Sequence, residues 1–156
     1  MANYFLKPVY ADVFGEEFSN SFEKRLAMQK TIYLLQDLGL SVGSYNFMWY
    51  KHGPYSQALQ NDILGLGSAA EIQVKFSDEA KIILNKFKTA VFKSNISYSL
   101  CDWLECLGSL HYIKDNLLSA SASEDEVLKE LLRRKPHLKN VEENKYALDT
   151  LNNLFE

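Results

Sequence analysis

Gly53-Pro54 restricts this chain more than any other pair of its residues. Pro54 has no amide hydrogen, and its ring drives Gly53 away from helical backbone angles. No helix can therefore run through the pair. Before it stands an aromatic run, Tyr45-Asn46-Phe47-Met48-Trp49-Tyr50, whose composition favours extended chain. A strand is expected over about 45–51. After the pair, Ser56 can cap a helix of about two turns that ends near Gly65 or Gly67.

The rest of the chain reads as helix, with one further strand. Leu26, Met28, Ile32, Leu35 and Leu38 mostly follow helical spacing over 22–38, with Asn20 or Ser21 as the cap and Gly39 as the stop. The segment 71–76 alternates polar and apolar residues, so it is expected as a half-exposed strand in one small sheet with 45–51. Ser77 opens a helix over 78–93, with Ile83, Phe87 and Ala90/Val91 inward and Lys81, Asn85 and Lys88 outward. A helix over 98–118 has Trp103, Leu107, Leu110 and Ile113 as its expected core. Residues 119–122 form a loop. Ser123 and Glu126 make a capping box for a helix to Arg134, Pro136 stops it, and a last helix covers 141–155. Residues 1–18, broken by Pro8 and Gly15, are expected as an irregular docked arm. The fold class is mainly α with a small winged-helix-like sheet. It forms a single domain over 1–156, with a winged-helix-like α+β part over about 20–95 and a helical part over about 96–156.

A chain of 156 residues can bury about two-thirds of its unfolded surface, so no disulfide or metal is required for stability. Its net charge of -3 provides no general attraction to nucleic acid or anionic membranes. Residues 1–95 carry ten Lys/Arg and nine Asp/Glu, whereas 96–156 carry seven and eleven, so a phosphate-binding patch would have to lie in the first part. Cys101 and Cys106 point roughly 140° apart on one helix and cannot pair there. They read as small buried apolar groups in a reducing compartment. There is no signal-peptide pattern and no apolar run near about 18 residues, which leads to the expectation of a cytoplasmic protein.

The richest segment is Tyr50-Lys51-His52-Gly53-Pro54-Tyr55-Ser56. It can be a rigid loop that presents Lys51, His52 and Tyr55 to a partner, or a turn from strand to helix with Tyr50 and Tyr55 packed inward. Arg25, Gln29, Lys30 and Tyr33 are the second group. Arg25, Gln29 and Tyr33 recur at every fourth position and are expected on one face beside the 50–56 loop, as a recognition surface or as a solvated face. Lys75, Lys81 and Lys88 are the residues a DNA-binding alternative would use. No catalytic residue, metal ligand or cofactor motif is assigned: there is no His-x-x-x-His, paired-Cys or glycine-rich phosphate pattern. His52, Ser56 and Asp62 can be drawn as a triad, but such residues within a dozen positions are common by chance. His111 reads as a core or edge histidine, and His137 follows Pro136 in a turn.

The stretch Arg25-Leu26-x-x-Gln29-Lys30-x-x-Tyr33-Leu34-Leu35, then Gly39, then Tyr45-x-Phe47-x-Trp49-Tyr50-x-x-Gly53-Pro54-Tyr55-Ser56-x-x-Leu59-x-x-Asp62-Ile63, resembles YwgA-like prokaryotic proteins. More distantly it resembles the Panacea (SocA-like) antitoxin domain, with its Gln-Lys-x-x-Tyr helix and Gly-Pro turn. Trp103-Leu104-Glu105, Ser109 and Arg134-Lys135-Pro136 extend the resemblance over about 22–150. The resemblance implies a helical domain with a small sheet and no catalytic residues, and in Panacea-like members it implies a binding role, neutralising a toxin or delivering a partner to a protease. The function expected is a non-enzymatic module for protein–protein interaction in a toxin-neutralising or phage-defence setting. The alternative is a winged-helix-like DNA-binding regulator.

Overall fold

The computed structural model describes residues 3–68 and 73–156. The chain is mainly helical with one two-stranded antiparallel hairpin. Its elements are α1 (Leu6–Phe14), α2 (Phe22–Asp37), β1 (Met48–Tyr50), β2 (Gly53–Tyr55), α3 (Gln57–Leu64), α4 (Asp78–Val91), α5 (Leu100–Tyr112), α6 (Glu124–Arg134) and α7 (Val141–Leu154). A short 3-10 turn at Leu66–Ser68 follows α3, and a π turn at Ile113–Leu117 extends α5.

Serine caps open most of these helices. Ser21, Ser56, Ser77 and Ser99 each accept the amide hydrogen of the third residue onward, and Ser123 does so within a complete capping box with Glu126. α2 and α5 are the centre of the molecule. Each is buried around most of its circumference, α5 between α2 and α7, so neither shows the single clean stripe of a surface helix. Trp103, Leu107, Leu110 and Ile113 lie in the core as their spacing predicts, and the Trp103 indole donates to the Val91 carbonyl at 2.9 Å. One contiguous apolar cluster runs from Leu6 to Leu154.

Four expectations need correction. Residues 6–14 are not an irregular arm but a helix that buries Leu6, Val9, Tyr10 and Val13. Pro8 sits in its first turn, where amides have no helical partner, and Gly15 closes it at φ 68°, so both breakers serve as its punctuation. The sheet is not built from 45–51 with 71–76. β1 pairs with β2 just beyond a two-residue turn, residues 73–76 are not strand, and 71–72 lie outside the described residues. α5 stops at Tyr112 rather than running to 118, because the next five residues widen into the π turn. Cys101 is only half-buried, while Cys106 lies in the core as expected, and both thiols are free. Among the described residues no helix is long and apolar enough to cross a membrane.

Candidate functional site

The hairpin is held from beneath by α2 and α5, and this fixes what it can present. Met48 faces Tyr55, Trp49 faces Pro54 and Tyr50 faces Gly53, with Lys51 and His52 at the turn. Gly53 has φ 89°, and a β-carbon there would lie 2.4 Å from the Ser109 hydroxyl on α5. Only glycine suits both the backbone angle and the close approach. Gln29 clips the chain just after the hairpin, since its amide donates to the Ser56 carbonyl at 2.9 Å and accepts from the Ser56 amide at 3.0 Å. The Lys30 ammonium donates to the Pro54 carbonyl at 2.6 Å. The Lys135 ammonium reaches the carbonyls of Lys51 and Tyr50 from the end of α6.

Under the turn lies a buried charge cluster. Glu105, 2% exposed, lies at ion-pair distance from His137 Nε2 at 3.0 Å, His52 Nδ1 at 3.4 Å and Lys135 Nζ at 3.7 Å. Lys30 is 1% exposed, and burial pushes its ammonium down to about 7, with the Glu105 charge opposing that fall and the Lys135 charge adding to it. Burial also lowers Lys135, against the pull of Glu105. One carboxylate thus serves several cationic or protonatable groups, and two of the surrounding side chains, Lys30 and Lys135, hold backbone carbonyls of the hairpin.

Between the start of α2 and the hairpin opens a cleft of about 230 Å3. Phe22, Arg25 and Leu26 line it from α2, and Tyr50, Lys51, His52 and Tyr55 line it from the hairpin, with Gln29 and Lys30 at its floor and Gln60 at its edge. Among the described residues no carboxylate lines it. The Tyr50 and Tyr55 rings lie 5.1 Å apart, and Phe22 meets the His52 ring at 5.4 Å. Phe22 and Tyr50 are about half exposed.

The residues singled out in the sequence separate into two kinds. Arg25, Gln29, Lys30 and the 50–56 loop do come together. Gln29, Lys30, Gly53, Pro54 and Ser56 are buried, however, so they brace the hairpin, and the set open to solvent is Arg25, Tyr50, Lys51, His52 and Tyr55. Tyr33 does not belong to this face. Eight residues at about 100° each leave it turned about 80° from Arg25, and it packs instead against Phe47, His111 and Tyr112. The drawn triad comes apart: Ser56 caps α3, Asp62 accepts from the Tyr45 hydroxyl at 2.6 Å, and His52 turns to Glu105. Of the DNA-binding alternative's lysines, Lys75 and Lys81 are exposed, whereas Lys88 is paired with Asp12 at 3.0 Å.

Sequence reading missed Glu105, Lys135 and His137 as parts of the site. Glu105 stands in the apolar stretch Trp103-Leu104-Glu105-Cys106-Leu107, and a charge inside such a run signals a buried partner. No signal in the sequence ties Lys135 to the carbonyl of Lys51. Comparison of the chain with protein-family models, with curated proteins and with solved structures found no match.

Proposed function

We propose that this protein is a non-enzymatic binding module whose cleft between α2 and the hairpin receives an acidic, aromatic-bearing segment of a partner protein. The observation that carries this reading is the lining: Arg25, Lys51 and His52 over a floor containing Lys30, framed by Phe22, Tyr50 and Tyr55, with no carboxylate among the described residues. Tyr and Arg dominate binding energy at protein interfaces, and a brace of buried hydrogen bonds reduces the ordering cost of the hairpin that carries them. The resemblance to YwgA-like and Panacea domains supports a toxin-neutralising or phage-defence setting.

A panel of short peptides tests the reading by titration calorimetry. Peptides with Asp or Glu beside Phe or Tyr are expected to bind, and their Lys-substituted counterparts are not. Arg25→Ala and His52→Ala should each weaken binding about fivefold, roughly 1 kcal/mol, while thermal melts stay within about 0.5 kcal/mol, as expected for part-exposed side chains. Equal binding by the variants overturns the assignment. Duplex DNA is expected to bind no tighter than roughly 10 micromolar at physiological salt. A sub-micromolar, salt-sensitive gel shift would support the DNA-binding alternative instead.

A further inference from the structure

At the C-terminal ends of α2 and α5, three ligand-bearing side chains converge on one point. Asp37 ends α2, His111 lies on the last turn of α5, and Asp115 lies in the π turn that follows. His111 Nε2 is 2.8 Å from Asp37 Oδ2 and 3.2 Å from Asp115 Oδ2, and all three ligand atoms lie within 4.8 Å of one another. Both carboxylates therefore meet the same ring nitrogen. That nitrogen carries one hydrogen or one lone pair, so it can direct a well-aligned hydrogen bond to only one of them. A cation at the point of convergence is met by all three.

A separate feature points to the same place. The Tyr33 side chain is 4% exposed, and its hydroxyl is buried without a hydrogen bond. Tyr33 is one turn before Asp37 on α2, and its ring lies 5.6 Å from the His111 ring. A buried hydroxyl normally finds a partner. The His111 ring is fixed by stacking on Phe155 at 4.1 Å and is 6% exposed, whereas the Asp37 and Asp115 side chains are 40% and 48% exposed. The imidazole is thus held rigid, and the carboxylate side is open for an ion to enter.

We infer that Asp37, His111 and Asp115 form a zinc site that fastens the end of α2 to the π turn after α5, with the buried Tyr33 ring packed beside it. One imidazole nitrogen and two carboxylate oxygens are ordinary zinc ligands, and at bond lengths of roughly 2.0–2.2 Å a tetrahedral ion spaces its ligands roughly 3.3 Å apart. The observed contacts need only a small opening of the carboxylates to fit it. A second trio, Asp102, Glu105 and His137, is less suited to a cation, because Lys135 Nζ stands 3.7 Å from Glu105 Oε2.

Titration of the metal-free chain with zinc chloride, followed by calorimetry and by thermal melting, tests this. One zinc per chain and a rise in melting temperature are expected, since an ion bound only by the folded state stabilises it. Cobalt in place of zinc should give the visible absorption of a tetrahedral site. Asp37→Asn and Asp115→Asn keep the side-chain shape and sit at part-exposed positions. Each should weaken zinc binding at least about tenfold, the scale seen when even outer-shell partners of a metal are lost. His137→Ala should bind zinc as the parent does. Absence of stoichiometric binding overturns the inference. So does zinc affinity that survives in the Asp37→Asn/Asp115→Asn double variant, which circular dichroism must show to be folded.

Discussion

α2 and α5 run side by side in the same direction: the Glu23 carbonyl meets Cys101, the Lys30 stem lies over Gly108, and Asp37 meets His111. The pair carries two polar clusters, one beneath the hairpin turn and one at the C-terminal ends of the helices, and they differ in sign and in which group is buried. Beneath the hairpin turn, Lys30, Lys135, His52 and His137 surround one carboxylate that is almost fully buried. At the C-terminal ends, one buried imidazole faces two carboxylates that are partly open to solvent. The buried part of the first cluster, Glu105 with Lys30 and Lys135, braces structure, because losing any one of these leaves the others buried and unpaired, whereas His52 and His137 are about half exposed. A cluster of one buried imidazole with two part-exposed acids is less tightly tied to the fold and has ligand atoms free to engage an ion.

That difference can be broken by removing one acid from each cluster. Glu105→Ala should destabilise the protein by about 3–5 kcal/mol, because it leaves Lys30 and Lys135 buried without their counter-charge. Asp37→Asn should cost no more than about 1 kcal/mol, as for a part-exposed ion pair. Urea unfolding of the two variants measures both, and similar losses would remove the distinction between the clusters. Gly53→Val tests whether the hairpin is braced against α5 as described. It should cost about 2–3 kcal/mol, since a β-branched residue at positive φ is strained and its β-carbon meets Ser109. A thermal melt equal to that of the parent would show that the hairpin lifts freely from α5.

The pH dependence sharpens the picture beneath the hairpin. Lys30 in the folded chain is lowered to about 7 from an ordinary value of 10.5. Between those values the unfolded chain holds more protons than the folded one, so this group makes stability rise with pH from about 7 towards 10.5, by at most about 1.4 kcal/mol per pH unit. Below about 7 both forms are protonated and the slope vanishes. Lys30→Met removes the titrating group. The stability of the parent minus that of Lys30→Met, from denaturant titrations at several pH values, should therefore increase from pH 7 to pH 9.5. A flat difference would mean that Lys30 is solvated rather than dry.

Much of the helical framework was legible before any coordinates. Ser21, Ser56, Ser77 and the Ser123–Glu126 box mark helix starts by a local hydrogen bond, and Trp103, Leu107, Leu110 and Ile113 mark a core face by spacing. Local chemistry also placed a bend at Gly53-Pro54. Misreadings arose where a residue had two local meanings. Pro8 can break a helix or sit in its first turn, and the choice is made by the burial of Leu6, Val9 and Tyr10 against the rest of the fold. The alternation in 71–76 suggested a strand, but β1 found its partner immediately after the turn at Lys51-His52.

The sequence by itself determined where helices begin, which faces of them are apolar, and that an aromatic and basic segment turns at Gly53-Pro54. These depend on interactions among residues a few positions apart, which the order of residues specifies directly. Only the tertiary structure decided what the polar residues of that segment do. Gln29 and Lys30 look like a solvated face until the hairpin folds over them and takes their donors. Glu105 acquires its meaning from Lys135 and His137, about 30 residues away, and Asp37 from His111, 74 residues away. Whether a charge braces the fold or meets a ligand depends on the groups brought to it and the water removed around it, and both are set by packing between distant parts of the chain.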